Sequence, residues 1–198
     1  MTKDWTGNKK STFASLGASN HSEGEREEHD YYATEPKAAE LLLELEPDLD
    51  NIWECAAGEG HLAKVFAEAG KLGAASDLIE RGYCQGGYDF LGQEWEWNGD
   101  IVTNPPYKYA REFIEKALEI VPIGRKVCMF LKLTFLEGKG RKQLFTENPP
   151  RVVYVTSSRL NCAKNGDFIT YGTNSAAAYA WFVWEKGYTG NTILKWFN

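Results

Sequence analysis

Four consecutive residues, Asn104-Pro105-Pro106-Tyr107, are of types that could hold and activate an amino group. An aromatic amine is a poor nucleophile because its lone pair is delocalised into the ring. The side-chain oxygen of Asn104 and the carbonyl oxygen of Pro105 can both accept N–H bonds from such an amine, which localises the lone pair and orients it. The consecutive prolines stiffen the loop, and the ring of Tyr107 offers a stacking surface for a base. A Pro-Pro turn with no chemical role is the alternative interpretation.

A glycine-containing turn precedes this motif along the chain. Residues 54–62 read Glu-Cys-Ala-Ala-Gly-Glu-Gly-His-Leu, and they follow a predicted strand from Asn51 to Cys55 and begin a predicted helix. Gly58 and Gly60 would let the backbone approach a ligand closely, and the acidic residues would offer it hydrogen-bond acceptors. The complete GxGxxG of pyrophosphate-binding loops is missing, so a dinucleotide is not favoured. A tight strand-to-helix turn without a ligand is the alternative interpretation.

An acidic residue, Asp77, follows the second predicted strand, Leu72 to Ser76. It comes roughly 20 residues after the glycine turn, where a carboxylate accepts hydrogen bonds from ribose hydroxyls. An Asp often ends a strand without any role in binding. Because the glycine turn and the carboxylate occur together, we favour a nucleoside-binding site.

Basic residues are concentrated between Pro122 and Asn165. This stretch has nine Lys and Arg against two Glu, a net charge of +7, whereas the whole chain carries −6, so that the remainder carries −13. Such asymmetry predicts one basic face that binds a phosphate backbone, with scattered solubilising charges as the alternative. The candidate substrate-binding residues in and after this stretch are Lys139, Arg141, Lys142, Arg159, Lys164, Phe168 and Tyr171.

Composition disfavours several classes of protein. No run of about 18 apolar residues is present, so no membrane span is predicted. The polar N-terminal region lacks the apolar core of a signal peptide, and we expect a cytoplasmic protein. The cysteines and histidines have neither metal-ligand nor disulfide spacing, so we predict no metal and unpaired thiols. These residues are Cys55, Cys84, Cys128, Cys162, His21, His29 and His61.

Helical and strand patterns alternate from Tyr31 onward, which predicts a doubly wound parallel α/β sheet. We predict a polar arm or tail at residues 1–29 and a single domain at residues 30–198. Within that domain, residues 157–175 are predicted to form a short loop that could recognise a substrate. The remaining predicted strands are a weak one before Asp89, Asp100 to Thr103, Lys126 to Leu131, Val152 to Thr156, Ala176 to Trp184 and Thr192 to Phe197.

With these motifs in this order, the chain resembles the amino-methylating branch of the class I, Rossmann-like methyltransferases. The resemblance is closest to the small adenine-specific DNA methyltransferases of phages and prophages, and it covers about Asp30 to the C-terminus. It implies a mostly parallel seven-stranded sheet with an antiparallel strand near the C-terminal end. It also implies S-adenosylmethionine as the cofactor and adenine in DNA as the methyl acceptor.

The resemblance also implies roles for individual residues. The family motif (N/D/S)PP(Y/F/W), here Asn104 to Tyr107, holds the target amine. The glycine-rich turn binds the methionine part of the cofactor, and the matching residues are Glu54, Ala56, Gly58 and Gly60. Asp77 would bind the ribose, and Asp89 with Phe90 would border the adenine ring. A segment before the first strand also contacts the cofactor, and its matching residues are Tyr32, Thr34 and Pro36.

The chain departs from these relatives in its recognition segment. Such enzymes often carry a substantial target-recognition domain, whereas here only Ser157 to Ser175 could serve, so a partner could supply sequence specificity. The same motif occurs in enzymes that methylate protein glutamine or RNA bases. A catalytically silent module that binds nucleic acid is the remaining alternative, and the oligomeric state stays open.

Overall fold

Seven strands form one large sheet in a computed structural model, which describes residues 32–158, 160, 162–164 and 177–198. Its strands are β2 (Ile52–Glu54), β3 (Leu72–Ala75), β4 (Ile101–Thr103), β5 (Lys126–Lys132), β6 (Val152–Thr156), β8 (Tyr179–Glu185) and β9 (Ile193–Phe197). Along the sheet their order is β3-β2-β4-β5-β8-β6-β9. All neighbouring pairs are parallel except those of β8, which is antiparallel to both β5 and β6. The predicted mostly parallel, seven-stranded α/β fold is confirmed.

A second, two-stranded sheet lies beside the first. Its strands are β1 (Tyr32–Thr34) and β7 (Cys162–Lys164), which pair antiparallel with Thr34 opposite Cys162. The pairing joins the segment that precedes the first strand of the large sheet to the start of the predicted recognition loop. The predicted arm at residues 1–29 lies outside the described residues.

Helices cover both faces of the large sheet because its central strands are apolar on both sides. In β8, Trp181 and Val183 pack into one cluster of buried residues, and Phe182 and Trp184 pack into another. The helices are α1 (Lys37–Leu45), α2 (His61–Glu68), α3 (Ala110–Ile120) and α4 (Lys142–Glu147). Buried residues of α1 and α2 belong to the first cluster, and those of α3 and α4 belong to the second. Within the described residues, no helix is both long and apolar enough to cross a membrane.

The weak strand predicted before Asp89 is not formed. Residues 76–100 contain no strand, and aromatic packing holds them against the sheet instead. The ring of Trp53 on β2 lies 5.3 Å from that of Phe90 and 5.1 Å from that of Trp95, measured between centroids. Trp97 donates its indole N–H to the carbonyl of Asn51 at 3.0 Å. The seventh strand of the sheet is therefore β9, at the opposite edge.

A buried cluster of charges ties α1 to the amino-terminal ends of β5 and β6. The carboxylate of Glu46, only 3% exposed, accepts hydrogen bonds from Lys126 at 2.6 Å, from Arg151 at 2.5 Å and from the hydroxyl of Tyr154 at 2.6 Å. Burial alone would raise the pKa of Glu46, but the hydrogen bonds from Lys126 and Tyr154 lower it below its ordinary value.

This cluster corrects the prediction of one basic face. Lys126 and Arg151 belong to the basic stretch but are paired here with acids, and Arg125 lies 4.0 Å from the carboxylate of Asp100. All three lie before or at the first residue of a strand, whereas Asn104 follows the last residue of β4. The prediction is therefore wrong for these three residues, because their positive charge is neutralised at the other end of the sheet.

We expect Glu46→Gln to lower the free energy of unfolding by about 3 kcal/mol at pH 7, because it leaves the buried cation Lys126 and the partly buried cation Arg151 with less compensating charge. The loss should shrink as the pH falls. Since the folded state lowers the pKa of Glu46, its ionised form stabilises the fold above the unfolded pKa, and this contribution disappears as the pH falls through the folded pKa. Urea unfolding of both proteins across this acid range measures the difference.

The control is Glu40→Gln, which removes a carboxylate whose ion pair with Lys37 is half exposed on α1. We expect that substitution to change the free energy of unfolding by less than about 0.5 kcal/mol, both at pH 7 and in the acid range. Equal effects of the two substitutions would contradict a special role for the buried cluster.

Candidate active site

A cleft of about 950 Å³ opens at the carboxyl ends of the parallel strands. It lies where the chain changes direction across the sheet, because β2 is flanked by β3 on one side and by β4 on the other. Of the predicted site residues, those that line the cleft are Tyr32, Thr34, Glu54, Ala56, Asp77, Asp89, Phe90, Asn104, Pro105, Pro106 and Tyr107. The fold therefore brings the amine-binding motif and most of the predicted cofactor residues into one cavity.

The glycine turn is held to the end of β3 by Asp77. One carboxylate oxygen of Asp77 accepts the backbone N–H of Gly58 at 2.7 Å, and the other accepts that of Ile79 at 2.8 Å. Gly58 has a φ of 56°, which is left-handed backbone that a glycine adopts without strain. Each oxygen keeps a second lone pair, so the carboxylate can still accept a hydroxyl from a ligand.

The second glycine of the turn has a packing role. Gly60 has a φ of 77°, and a Cβ atom there would collide with the ring of Tyr83. Tyr83 in turn lies under the ammonium of Lys64, 5.3 Å from the ring centroid. Gly58, Gly60 and Pro36 do not line the cleft with their own atoms, so their contact with a cofactor stays a prediction.

Two buried side chains lie at the carboxyl end of β2, Glu54 as its last residue and Cys55 directly after it. The Glu54 carboxyl is 2% exposed, its Oε2 atom has no hydrogen-bond partner within the described part of the chain, and burial raises its pKa well above the ordinary value. A buried polar atom without a partner is costly, and one that lines a cleft marks a place where a ligand can bind. Burial also raises the pKa of the neighbouring Cys55 thiol, which therefore stays protonated and is a poor nucleophile.

The amide of Asn104 is oriented by the small sheet. Its Nδ2 atom donates to the carbonyl of Tyr32 at 3.0 Å and to the hydroxyl of Thr34 at 2.8 Å. Because a carbonyl can only accept, the nitrogen must face β1, which fixes the direction of the side-chain oxygen. That oxygen is buried and has no partner within the described residues, so it is an acceptor available to a ligand.

Aromatic rings surround Tyr107 in the cleft. Its ring stacks on that of Tyr32 with centroids 5.7 Å apart, and the ring of Tyr179 lies 6.2 Å away. The ammonium of Lys132, the last residue of β5, lies over the Tyr107 ring at 4.5 Å from the centroid. Burial raises the pKa of the Tyr107 hydroxyl well above its ordinary value, so the ring stays neutral.

Asp89 and Phe90 reach the cleft from the segment without a strand. Phe90 is 3% exposed and packs against Phe113, with the centroids 5.0 Å apart. Asp89 accepts the backbone N–H of Leu91 at 3.0 Å, which closes a turn at this point. The pair is thus positioned by aromatic packing and a turn rather than by a strand.

Of the predicted substrate-binding residues whose side chains the structure describes, none lines the cleft. Lys139, Arg141 and Lys142 lie outside its lining, and the guanidinium of Arg141 donates to the backbone carbonyls of Thr134, Phe135 and Glu137. The backbone of Lys164 lies in β7, opposite Tyr32. Arg159, Phe168 and Tyr171 lie outside the described residues. Contacts between these residues and a substrate stay predictions.

The cleft also contains residues that the sequence motifs did not indicate. These are His61, Arg81, Tyr88, Lys108 and Lys132, among others. Lys132 could have been found from the sequence, because the carboxyl ends of adjacent parallel strands meet at one edge of a sheet. Arg81 and Tyr88 lie in the segment without a strand. Its sequence has no helical or strand periodicity from which the direction of a side chain could be predicted.

Comparison with solved structures shows the fold. A protein from Listeria monocytogenes described as a class I S-adenosylmethionine-dependent methyltransferase matches with a TM-score of 0.53 and 11% identity, over 81% of this chain and 62% of that one. An S-adenosylmethionine-dependent O-methyltransferase from Thermotoga maritima matches with a TM-score of 0.50 and 16% identity, over 79% of this chain and 67% of that one. The type IIG restriction endonuclease BpuSI matches with a TM-score of 0.54 and 14% identity, over 93% of this chain and 28% of that one.

These likenesses give the chain the fold of class I methyltransferases. No protein-family model matches the chain, and no curated protein matches it by sequence. The chain spans 62% of the Listeria protein and 28% of the restriction enzyme. Because proteins with different acceptors share this fold, the acceptor has to be argued from the side chains in the cleft.

The packing role of Gly60 gives a prediction about stability. Gly60→Ala should lower the free energy of unfolding by roughly 2 to 4 kcal/mol, because it places a Cβ in left-handed backbone and against the ring of Tyr83. Gly70→Ala is a matched control, since Gly70 has a similar φ of 69° and no atom within 4 Å of the added Cβ. Thermal or urea unfolding should show a loss of about 1 to 2 kcal/mol there.

In a protein that already has Tyr83→Ala, the added Cβ of Gly60→Ala no longer meets a ring. There Gly60→Ala should cost only as much unfolding free energy as Gly70→Ala does. An equal loss in Gly60→Ala and Gly70→Ala would show that Tyr83 moves aside without cost.

Proposed function

We propose that the protein transfers a methyl group from S-adenosylmethionine to the exocyclic amino group of adenine in DNA. The observation that carries this proposal is the oriented amide of Asn104. Its nitrogen is engaged by Tyr32 and Thr34, so that its buried oxygen is left to accept an N–H group. An acceptor fixed before the substrate arrives needs no reorganisation when the amine attacks.

The other parts of the motif fit the same role. The carbonyl of Pro106 already accepts the N–H of Tyr109 at 2.9 Å, so the carbonyl of Pro105 is the one proposed as second acceptor for the amine. A neutral, partly exposed ring at Tyr107 suits stacking of a planar base. A base in a duplex must first be flipped out of the stack to enter the cleft.

The residues on the other side of the cleft fit the cofactor. Glu54 offers a buried carboxyl with an unpartnered oxygen, and Asp77 retains acceptor capacity for ribose hydroxyls. Phe90 offers an apolar surface and Asp89 a polar edge for an adenine ring. When bound, S-adenosylmethionine supplies an electrophilic methyl group on a sulfonium sulfur. The carboxylates of Asp77 and Asp89 outnumber the cation of Arg81 here, which favours a cationic ligand.

Two observations favour nucleic acid as the acceptor. The cleft has the basic side chains of Lys108 and Lys132 on the side of the amine-binding motif. One of the structures with this fold is a restriction endonuclease, although a likeness of 14% identity extends only to the fold. Sequence specificity would come from residues 157–175 or from a partner protein.

Radiolabelled methyl transfer to DNA, RNA and protein fractions, followed by nucleoside analysis, tests the proposal. We expect N6-methyladenine in the DNA fraction. Label confined to protein, with methylglutamine as the product, would replace adenine by a glutamine side chain as the acceptor. Label confined to RNA would replace DNA. No transfer to any fraction, with S-adenosylmethionine still bound, would indicate a silent binding module.

Asn104→Ala should lower the rate of methyl transfer at least ~100-fold, since a preorganised polar contact in the transition state is lost. Its affinity for S-adenosylmethionine, measured by calorimetry, should stay within a few-fold of that of the unmodified protein. Undiminished transfer by this variant would make the proposed mechanism wrong.

Thr34→Val tests the orientation of the amide separately from its presence. The variant keeps the shape of the side chain but removes one of the two oxygens that hold the Asn104 nitrogen. We expect single-turnover transfer to slow by roughly tenfold, the scale of one lost hydrogen bond, with Thr34→Ser close to the unmodified protein. If Thr34 instead bound the cofactor, Thr34→Val would weaken S-adenosylmethionine affinity and leave single-turnover transfer at saturating cofactor unchanged.

A further inference from the structure

The cleft has charges of opposite sign on its two sides. The carboxylates of Asp77, which follows β3, and of Asp89 lie on one side, where the segment after β3 also brings the cation of Arg81 into the lining. On the other side, beyond Asn104, the last residue of β5 is Lys132, whose ammonium lies over the ring of Tyr107. A cavity divided in this way suits two ligand groups of opposite charge.

Three other cations of the basic stretch are already engaged within the protein, whereas Lys132 is not. Lys126 and Arg151 are paired with acids, and Arg141 is engaged by backbone carbonyls. Within the described residues, neither a hydrogen bond nor an ion pair engages the ammonium of the half-buried Lys132, which lies over the Tyr107 ring. This cation therefore remains available to an anionic group that enters the cleft.

We infer that Lys132 binds a phosphate group of the nucleotide whose base stacks on Tyr107. The inference rests on the proposed function and adds to it the residue that recognises nucleic acid within the cleft itself. A lysine over a ring is held only weakly, whereas a charge-assisted hydrogen bond to phosphate is stronger. An arriving base can therefore take the place of the ammonium on the ring while the flexible side chain turns to the phosphate of the same nucleotide.

The inference also separates nucleic acid from protein as the acceptor. The side chain of glutamine is neutral, so a peptide that presents it gives an unpaired cation at this point nothing to bind. Every nucleotide in a strand has a phosphodiester, and so the same cation is useful whatever the surrounding sequence.

The variants that test this are Lys132→Met, which keeps the length of the side chain and its contact with the ring, and Lys132→Arg, which keeps the charge. Lys195→Met is a matched control. Lys195 also lies over a ring, that of Tyr154 at 5.9 Å, but it is exposed on β9 at the far edge of the sheet. All three substitutions leave the residues assigned to the cofactor unchanged.

The measurement is kcat/KM for methylation of sheared, unmethylated DNA over a series of KCl concentrations. For Lys132→Met we expect a roughly tenfold loss at low salt. We also expect the slope of log kcat/KM against log KCl concentration to be shallower by about 0.9, the effect of one lost phosphate contact on duplex DNA. Lys132→Arg and Lys195→Met should behave as the unmodified protein does, and calorimetry should give one S-adenosylmethionine affinity for all four proteins.

Two results would overturn the inference alone. One is an unchanged salt slope in Lys132→Met, and the other is a loss in Lys132→Arg as large as that in Lys132→Met, which would indicate a packing role for the lysine stem. Methylation of protein only, by the unmodified protein, would overturn the proposed function and this inference together.

Discussion

One side-chain amide joins the two sheets of the molecule. Asn104 extends from the end of β4 in the large sheet, and its nitrogen donates to both the backbone and the side chain of β1 in the small one. The position of β1 depends in turn on its pairing with β7. The available acceptor in the cleft therefore exists only when three distant parts of the chain have come together. This explains how a short motif can have a fixed geometry although it lies in a loop.

The two ends of the large sheet use charge in different ways. At the amino-terminal ends of β5 and β6, Glu46 accepts hydrogen bonds from both Lys126 and Arg151, and Asp48 and Glu185 pair with the same two cations. At the carboxyl-terminal ends, Glu54 and Asn104 each retain a buried oxygen without a partner. Such atoms are costly to bury, and these two also line the cleft, where a ligand can reach them.

Local patterns in the sequence were enough to predict much of the fold and the centre of the cleft. All seven strands of the large sheet were predicted from their apolar runs, and Asn104 and Asp77 follow from their places after strands. The expected strand before Asp89 failed because Trp53, Trp95 and Trp97 hold that segment by ring packing, which has no sequence period. The pairing of β1 with β7 joins residues 128 apart in sequence, as between Thr34 and Cys162, and no local pattern reports it. Net charge also misled, since it cannot distinguish Lys126, which is neutralised, from Lys132, which is not.

The antiparallel strand β8 has a consequence for biosynthesis. It lies between β5 and β6, although it follows both in the sequence. As the chain leaves the ribosome, β5 and β6 therefore have no strand between them, and each exposes an unpaired and strongly apolar edge until residues 179–185 emerge. When β8 inserts, it fills the centre of the sheet and brings Tyr179 opposite Lys132 in the same event. Closure of the centre of the sheet and completion of this wall of the cleft thus depend on the same strand pairing.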